Sequence, residues 1–442
     1  MASNNRKKAS DQGNTLLYAV CSRNKTLKSI APNYITQKIK NLGMDENNYS
    51  PEDLKQLEES LKIPKSLDRI QIWGLWGYCD IDWQLDSQTN LLIGRNGSGK
   101  TTLLRIVNAV VNEGPTKELD LVKYNYDFDA ILLTFDNGQT LFFKKLTKIG
   151  ETLESDAAKI QKDAKKHFHD NRIKYNGTHF LTKITLIENT PKGAGYWASS
   201  EAEHRFFRKN LPLSLISTFD NFVKDARLAN IIAQMSDVYT DLDWELKRLI
   251  QAFKSYQYKL KKQEEEKTQV YYSEIDSIAQ LDEVTTEDLL RQRRALQQIK
   301  ELTMQTHQHE NVFFDMLNEF LSSPKYPANT KKVEFDEDND LVFRQVSSNK
   351  LLNFHQFSSG EKQLLIILLS VMIMEQKPAV LLLDEPEISL HIEWQMVFIE
   401  KIKKLNPNMQ IIMATHADSM FFNSQWHQYI KRIEKLSTIS SN

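Results

Sequence analysis

Four short stretches of this chain carry residue types that could do chemistry together. In LLIGRNGSGKTTLL (91–104), Gly94, Arg95, Asn96, Gly97, Ser98 and Gly99 run directly into Lys100, Thr101 and Thr102. The spacing fits G-x-x-x-x-G-K-[ST]. A polyphosphate held by backbone needs several N–H groups converging on it, and a Cβ would block that approach. Glycines at 94, 97 and 99 remove the obstruction and admit positive φ. Lys100 would reach the β- and γ-phosphates, and the Thr101 hydroxyl would ligate Mg²⁺. The apolar residues before and after predict a buried strand, a loop and a helix over about 100–111. The helix start adds free N–H groups and a positive dipole end.

The second stretch is AVLLLDEPE (379–387). An all-apolar run predicts a parallel strand buried on both faces. Asp384 falls at its carboxyl end, where α/β sheets place their chemistry, and could hold Mg²⁺ through water. Glu385 could act as general base or orient an attacking water. The third, FSSGEKQ (357–363), sets Ser358, Ser359 and Gly360 at the start of an apolar helix, a second anion-binding helix end. The fourth, IIMATH (411–416), ends an apolar strand in His416, which could hydrogen-bond a γ-phosphate and sense its presence.

The elements that must position these groups are legible in outline. Ser50, Pro51 and the acids at 52 and 53 open a short helix. Residues 67–84 and 130–146 are rich in strand formers, with Asn137-Gly138 predicting a type I′ hairpin turn. Residues 180–188 return to strand, and KKVEFDEDNDLVFRQV (331–346) predicts another hairpin with an acidic turn. From about 221 to 321 the pattern is helical. Leu242, Leu246, Leu249, Phe253, Tyr256 and Leu260 form an apolar seam for a partner helix. A last helix is expected after His416. The expected fold class is α/β: two pieces of one nucleotide-binding fold, about 66–220 and 330–442, interrupted by a helical arm at 221–329 and preceded by a helical extension at 1–65.

The phrases GRNGSGKTTLL, SSGEKQ, DEPEISLH and THAD resemble the ABC-type ATPases of the SMC/RecF/OLD group, soluble heads rather than transporter subunits. Similarity is strong over about 67–110 and 351–420. The resemblance implies an ABC-type P-loop NTPase head with a mixed-sheet lobe, a parallel-sheet lobe and a short coiled-coil arm. It implies ATP and Mg²⁺ as ligands, Thr101 and Asp384 toward the metal, and Glu385, His416 and Lys100 as the catalytic set. It also implies a head-to-tail dimer, in which Ser358 and the Ser359 and Gly360 backbone meet the γ-phosphate bound on loop 94–102 of another copy. Ile388, Ser389, Leu390 and His391 would form the D-loop of that fold. Serine at 359 and Glu361 depart from the usual signature's glycine and glutamine. No clear Q-loop glutamine is present; by position Thr218 or Asp220 would stand in. Trp76 and Tyr78 are aromatic candidates for the adenine or for core packing.

These phrases resemble more closely a compact bacterial branch, many of whose members serve anti-phage defence in Septu-like, PARIS-like and retron-associated systems. One expectation is therefore a regulatory ATPase acting on a separately encoded nuclease. No nuclease motif is present, and little chain follows His416 where OLD-type proteins carry a metal-binding nuclease domain. The alternative is a RecF-like DNA-binding repair ATPase. Lys144, Lys145, Lys148, Lys159, Lys162, Lys165, Lys166, Arg172 and Lys174 form a basic segment that could track phosphates, with acids interspersed. Among 442 residues, 57 basic and 58 acidic side chains balance, which argues against a global polyelectrolyte mode of binding. Two cysteines, Cys21 and Cys79, give no disulfide framework and suit a reducing cytosol. No apolar run reaches the roughly 20 residues of a membrane span, and the expected location is the cytoplasm.

Overall fold

A computed structural model of the chain describes residues 35–36, 39, 44–45, 49–112, 127–145, 184–187, 196–199, 201–217, 240–281, 283–322, 326–336, 341–353, 356–421 and 424–439. In chain order the elements begin with α1 (Pro51–Ser60), β1 (Leu67–Leu75), β2 (Cys79–Gln84), β3 (Thr89–Ile93) and α2 (Lys100–Asn112). Next come β4 (Ala130–Phe135), β5 (Thr140–Lys145), β6 (Ile184–Ile187), β7 (Tyr196–Ser199), α3 (Glu201–Asn210) and β8 (Leu213–Ser217). The arm is α4 (Asp241–Ala279) and α5 (Thr286–Leu321). The return comprises β9 (Lys331–Phe335), β10 (Leu341–Gln345), β11 (Lys350–Leu351), α6 (Ser359–Met372), β12 (Ala379–Asp384), α7 (Ile392–Leu405) and β13 (Met409–Ala414). It closes with β14 (Ile430–Arg432), α8 (Ile433–Leu436) and β15 (Ser437–Ile439).

The site depends on a five-stranded sheet in the order β14-β3-β13-β12-β8, with every neighbouring pair parallel. Its central strands are apolar throughout, as burial on both faces demands; all six residues of β12 and of β13 are buried. Val380 and Leu382 pack toward α2 and an antiparallel seven-stranded sheet, β15-β2-β1-β4-β5-β7-β6. Leu381 and Leu383 face the other way, onto α6, α7 and the root of the arm. Registers align Asp384 with Ala414 on one side and Ser217 on the other, and Ala414 with Leu92. The carboxyl ends of four strands therefore open on one edge, where β3 leads into the loop at 94–99.

The arm is a helical hairpin. Capping boxes open both helices: Thr240 with Asp243, and Thr285 with Asp288. In the seam, Leu246, Leu249, Phe253 and Tyr256 are buried with Phe313, Met316, Leu317 and Phe320 of α5. Each such side chain contributes about 1.5–3 kcal/mol through removal from water, so the root of the arm is anchored in the head's core. Ser50 caps α1 as expected, and Asp53 bonds back to its N–H to complete a capping box.

Two expectations are corrected. The β4–β5 turn is not type I′, which needs positive φ at both central residues. Only Gly138 is left-handed, at φ 78°. Gly138 N–H bonds to Phe135 O and Phe135 N–H to Gln139 O, which is a type I turn followed by a glycine bulge. Asn137 helps through its side chain, accepting from Gln139 N–H at 3.0 Å. The last helix is also replaced: after His416 come 3₁₀ turns at Asp418–Phe421 and Ser424–Tyr429, then β14, the one-turn α8 and β15. The segment is claimed by two sheet edges, since β14 adds to β3 and β15 to β2. The backbone pairing available there outweighs local helix preference. The lysine-rich expectation at 148–174 lies outside the described residues, as do residues 1–34.

Candidate nucleotide site

The loop between β3 and α2 has the backbone its glycines permit. Gly97 and Gly99 sit at φ 77° and 94°. A Cβ on Gly99 would lie 2.1 Å from the Trp76 ring, whereas one on Gly97 would meet nothing within 4 Å. Gly94 is packed differently: a Cβ there would strike Ile433 at 2.6 Å and Ser98 Oγ at 2.9 Å. Glu434 accepts from Arg95 N–H at 3.3 Å. The C-terminal turn thus braces the loop, a contact that nothing in IEKL announces.

Lys100, 4% exposed, folds back along the loop. Its Nζ donates to Gly94 O at 3.1 Å and Arg95 O at 3.3 Å, and lies 2.6 Å from His416 Nε2. Burial pulls the ammonium below the ordinary lysine range, against the charges of Glu385, Asp384, Glu434 and Glu387. Thr101 Oγ1 donates to Asp384 Oδ1 at 2.8 Å, and Ser217 Oγ to Asp384 Oδ2 at 3.0 Å. Thr218 and Asp220, the expected stand-ins for a Q-loop glutamine, lie outside the described residues; Ser217 was not among the expected site residues. Its signal was its position, the first hydroxyl at the end of an apolar strand.

Glu385 adopts the left-handed conformation, φ 49° and ψ 51°. A non-glycine residue there is strained by about 1–3 kcal/mol, and such strain clusters at functional sites. Its carboxylate meets His416, Oε1 to Nε2 3.1 Å. Burial raises the Glu385 carboxyl above the usual carboxylate value, opposed by His416 and Lys100 and reinforced by Glu387 and Asp384. His416 Nε2 thus faces an ammonium and a carboxylate at once. It can offer a lone pair to Lys100 or a proton to Glu385, but not both.

Gly94 through Thr102, Asp384, Glu385 and His416 are thus gathered on one edge of the parallel sheet. Ser358, Ser359 and Gly360 open α6, with Ser358 as an exposed N-cap bonded reciprocally to Glu361. Ser358 and Gly360 line a separate cavity of about 1010 Å³, with Ile388, Ser389, Leu390 and His391. Trp76 is half-buried in the core beneath Gly99, while Tyr78 is 53% exposed. Lys144 and Lys145 end β5; the rest of that basic segment is outside the described residues.

The residues present fit a nucleoside triphosphate with Mg²⁺. Gly97 and Gly99 leave backbone N–H groups unscreened, Ser98 Oγ is buried with no hydrogen-bond partner, and Lys100 supplies the cation. Thr101 and Asp384 form a hard oxygen pair; Mg²⁺ typically takes one or two protein carboxylates and completes its shell with phosphate and water.

Residues 66–421 match the family described as AAA_15, AAA ATPase domain, and the chain belongs to it. An uncharacterized protein of Dictyostelium discoideum is 30% identical over 135 residues, 29% of this chain. The chain spans 17% of the length of that curated relative. Among solved structures, the chain is similar to the Smc head domain with an extended coiled coil, bound to the C-terminal domain of ScpA, from Pyrococcus furiosus. That match has 14% identity, covers 81% of this chain and 91% of the other, and has a TM-score of 0.39. It is also similar to the SMC head domain from Thermotoga maritima, at 12% identity, the same coverage and a TM-score of 0.33. Among the described residues, no helix is long and apolar enough to cross a membrane.

Proposed function

We propose that the chain binds and hydrolyses ATP, and that two copies close head to tail around it. The observation that carries this reading is the separation of the two halves of the chemistry. Loop 94–102, Asp384, Glu385 and His416 share one edge, while Ser358 lines a different, open cavity. A second copy would bring its Ser358–Gly360 to the loop. Bound Mg²⁺, held by Thr101 and Asp384, would offset charge on the transferring phosphoryl group. Lys100 neutralises phosphate charge, Glu385 takes the proton of the attacking water, and His416 reads the γ-phosphate while relaying charge between Lys100 and Glu385. Loss of the γ-phosphate removes the contacts shared between copies and releases them.

Complementation tests this. Lys100→Ala breaks the loop half and Ser358→Arg the other half, so each variant alone is inactive. Mixed, they rebuild one intact composite site and recover turnover. A mixture as dead as its parts sinks the head-to-tail dimer. Glu385→Gln should accumulate an ATP-bound dimer by light scattering; a variant turning over at the wild-type rate removes Glu385 as base.

In its finer form, the closed pair is the regulatory ATPase of an anti-phage defence system that licenses a separately encoded nuclease. The support is the likeness of SSGEKQ, DEPEISLH and THAD to that branch. Copurification with a neighbour-encoded nuclease is expected, and a lone chain that restricts phage fully would rule it out. A DNA-clamping role remains the second reading, carried by the lysines from 144 to 174. Salt-sensitive DNA binding lost on neutralising them favours it over the first.

A further inference from the structure

Glu387 has no part in the reading above, yet its setting is unusual. It is 9% exposed, on the 3₁₀ turn Pro386–Ser389. One carboxylate oxygen, Oε1, accepts from His416 N–H at 2.7 Å. The other, Oε2, is buried with no hydrogen-bond partner. Leaving a buried acceptor unpaired costs about 1–3 kcal/mol, so this carboxylate is poorly explained as a stabilising device, and each such group in a folded protein calls for a reason.

The reason lies in what the used oxygen joins. β13 ends at Ala414, so His416 N–H has left the sheet ladder, and Glu387 captures it. The Glu387 carbonyl is fixed in turn, accepting from Leu390 N–H at 3.1 Å and from Gln395 Nε2 at 3.0 Å. Gln395 Oε1 accepts from Ser419, a second stitch to the same loop. On its far side the turn abuts the signature helix: a Cβ on Gly360 would lie 2.0 Å from Ser389 O. Gly360 against Ser389, on the turn that carries Glu387, and Glu387 against the His416 backbone thus form a chain of close contacts from the open cavity to the residue whose imidazole lies beside Lys100 and Glu385.

We propose that Glu387 is a positioning residue for phosphoryl transfer, tying the His416 loop to the 386–391 turn so that the face awaiting a second copy and the γ-phosphate sensor move as one body. This rests on the proposed ATPase reading and assigns a residue that reading leaves idle. The tie depends on reach, not on charge. Gln keeps an acceptor oxygen at the same distance, whereas Asp keeps the charge on a stem one methylene shorter.

The test compares kcat and KM for ATP in Glu387→Gln, Glu387→Asp and Glu387→Ala, each checked for an unchanged unfolding midpoint. Ala and Asp should lower kcat about 100-fold with KM nearly unmoved, and Gln should stay within about fivefold of wild type. Should Ala fail to fold, the Gln and Asp pair decides alone. Asp active with Gln slow, or loss confined to KM, overturns the tie. A wild-type chain that never turns over ATP sinks the ATPase reading instead. In that event the His416 ring resonances still report: ATP should shift them in wild type and Gln but not in Asp, and equal shifts in all three overturn the inference.

Discussion

Thr101 Oγ1 donates to Asp384 Oδ1 at 2.8 Å, joining residues 283 positions apart. The bond makes the loop and the acidic strand end a single oxygen site. Asp384 is 1% exposed, and burying its carboxylate without donors would be costly. Ser217, on the next strand over, donates to Oδ2 at 3.0 Å.

If Asp384 holds Mg²⁺ as proposed, Ser217 should behave as its supporting partner. Ser217→Ala is expected to lower Mg²⁺-dependent turnover about tenfold, since removal of such partners costs about 10–100-fold in metal affinity or activity. The Mg²⁺ concentration giving half-maximal rate should rise. With Mg²⁺ chelated, wild type and variant should bind nucleotide alike; a difference there would mean that Ser217 acts on the loop instead.

How much of this was legible beforehand depended on whether the determinant was local. The loop, β12 and β13 announce themselves because apolar runs and glycine spacing are properties of adjacent residues. Glu434 against Arg95, Ser217 against Asp384 and Glu387 against His416 are long-range pairings, and one carboxylate or hydroxyl gives no sign of its distant partner. The last helix failed for the same reason: β14 and β15 are made by edges of β3 and β2, not by their own sequence. The Asn137-Gly138 hairpin was visible, but its turn type depended on a bulge that the dipeptide does not encode.

Glycine substitutions should separate two kinds of constraint. Gly97→Ala meets only positive φ, costing about 1–2 kcal/mol. Gly99→Ala meets the same penalty plus the Trp76 ring, and overpacking adds about 1–3 kcal/mol. Gly360→Ala is unstrained in φ but drives the start of α6 from the Ser389 carbonyl. Urea unfolding should rank Gly99→Ala below Gly97→Ala in stability. Gly360→Ala should lose turnover while retaining nucleotide affinity.

A buried ion pair joins the arm to α6. Lys362 Nζ lies 2.7 Å from Asp243 Oδ1, with side chains 9% and 1% exposed. Asp243 also closes the capping box on Thr240. Asp243→Ala should destabilise the chain by about 3–5 kcal/mol, because it strands a buried ammonium. Asp243→Ala combined with Lys362→Met should recover much of that loss. Chemical denaturation of Asp243→Ala, Lys362→Met and the double variant checks it, and additive losses would show that the pair is not coupled.

The arm holds a titrating clasp midway. His307 Nδ1 faces Glu310 at 2.8 Å and Nε2 faces Glu264 at 3.1 Å, so its ring spans both helices. Burial pulls its pKa down, but hydrogen bonds and charges from Glu310 and Glu264 outweigh it, and the net shift is upward. Glu264 is lowered, chiefly by the Thr303 hydroxyl, with Lys261 adding its charge. A raised histidine contributes stability that is complete below its unfolded value, about 6.5, and lost as pH climbs through the folded value. A lowered Glu264 contributes above its unfolded value and fails as pH drops. His309, partly buried and bonded to Leu405 O, is lowered by that burial and so favours the fold as pH rises, the opposite sign. Hydrogen exchange in α4 and α5, corrected for intrinsic rates, should therefore show weaker protection at pH 8 than at pH 6. His307→Gln should remove most of that difference, since an amide does not titrate, although its NH2 can donate to one carboxylate while its oxygen cannot donate to the other. Wild-type protection that does not weaken over this range, or a Gln variant that weakens equally, would mean that the ring does not carry a proton between the two carboxylates.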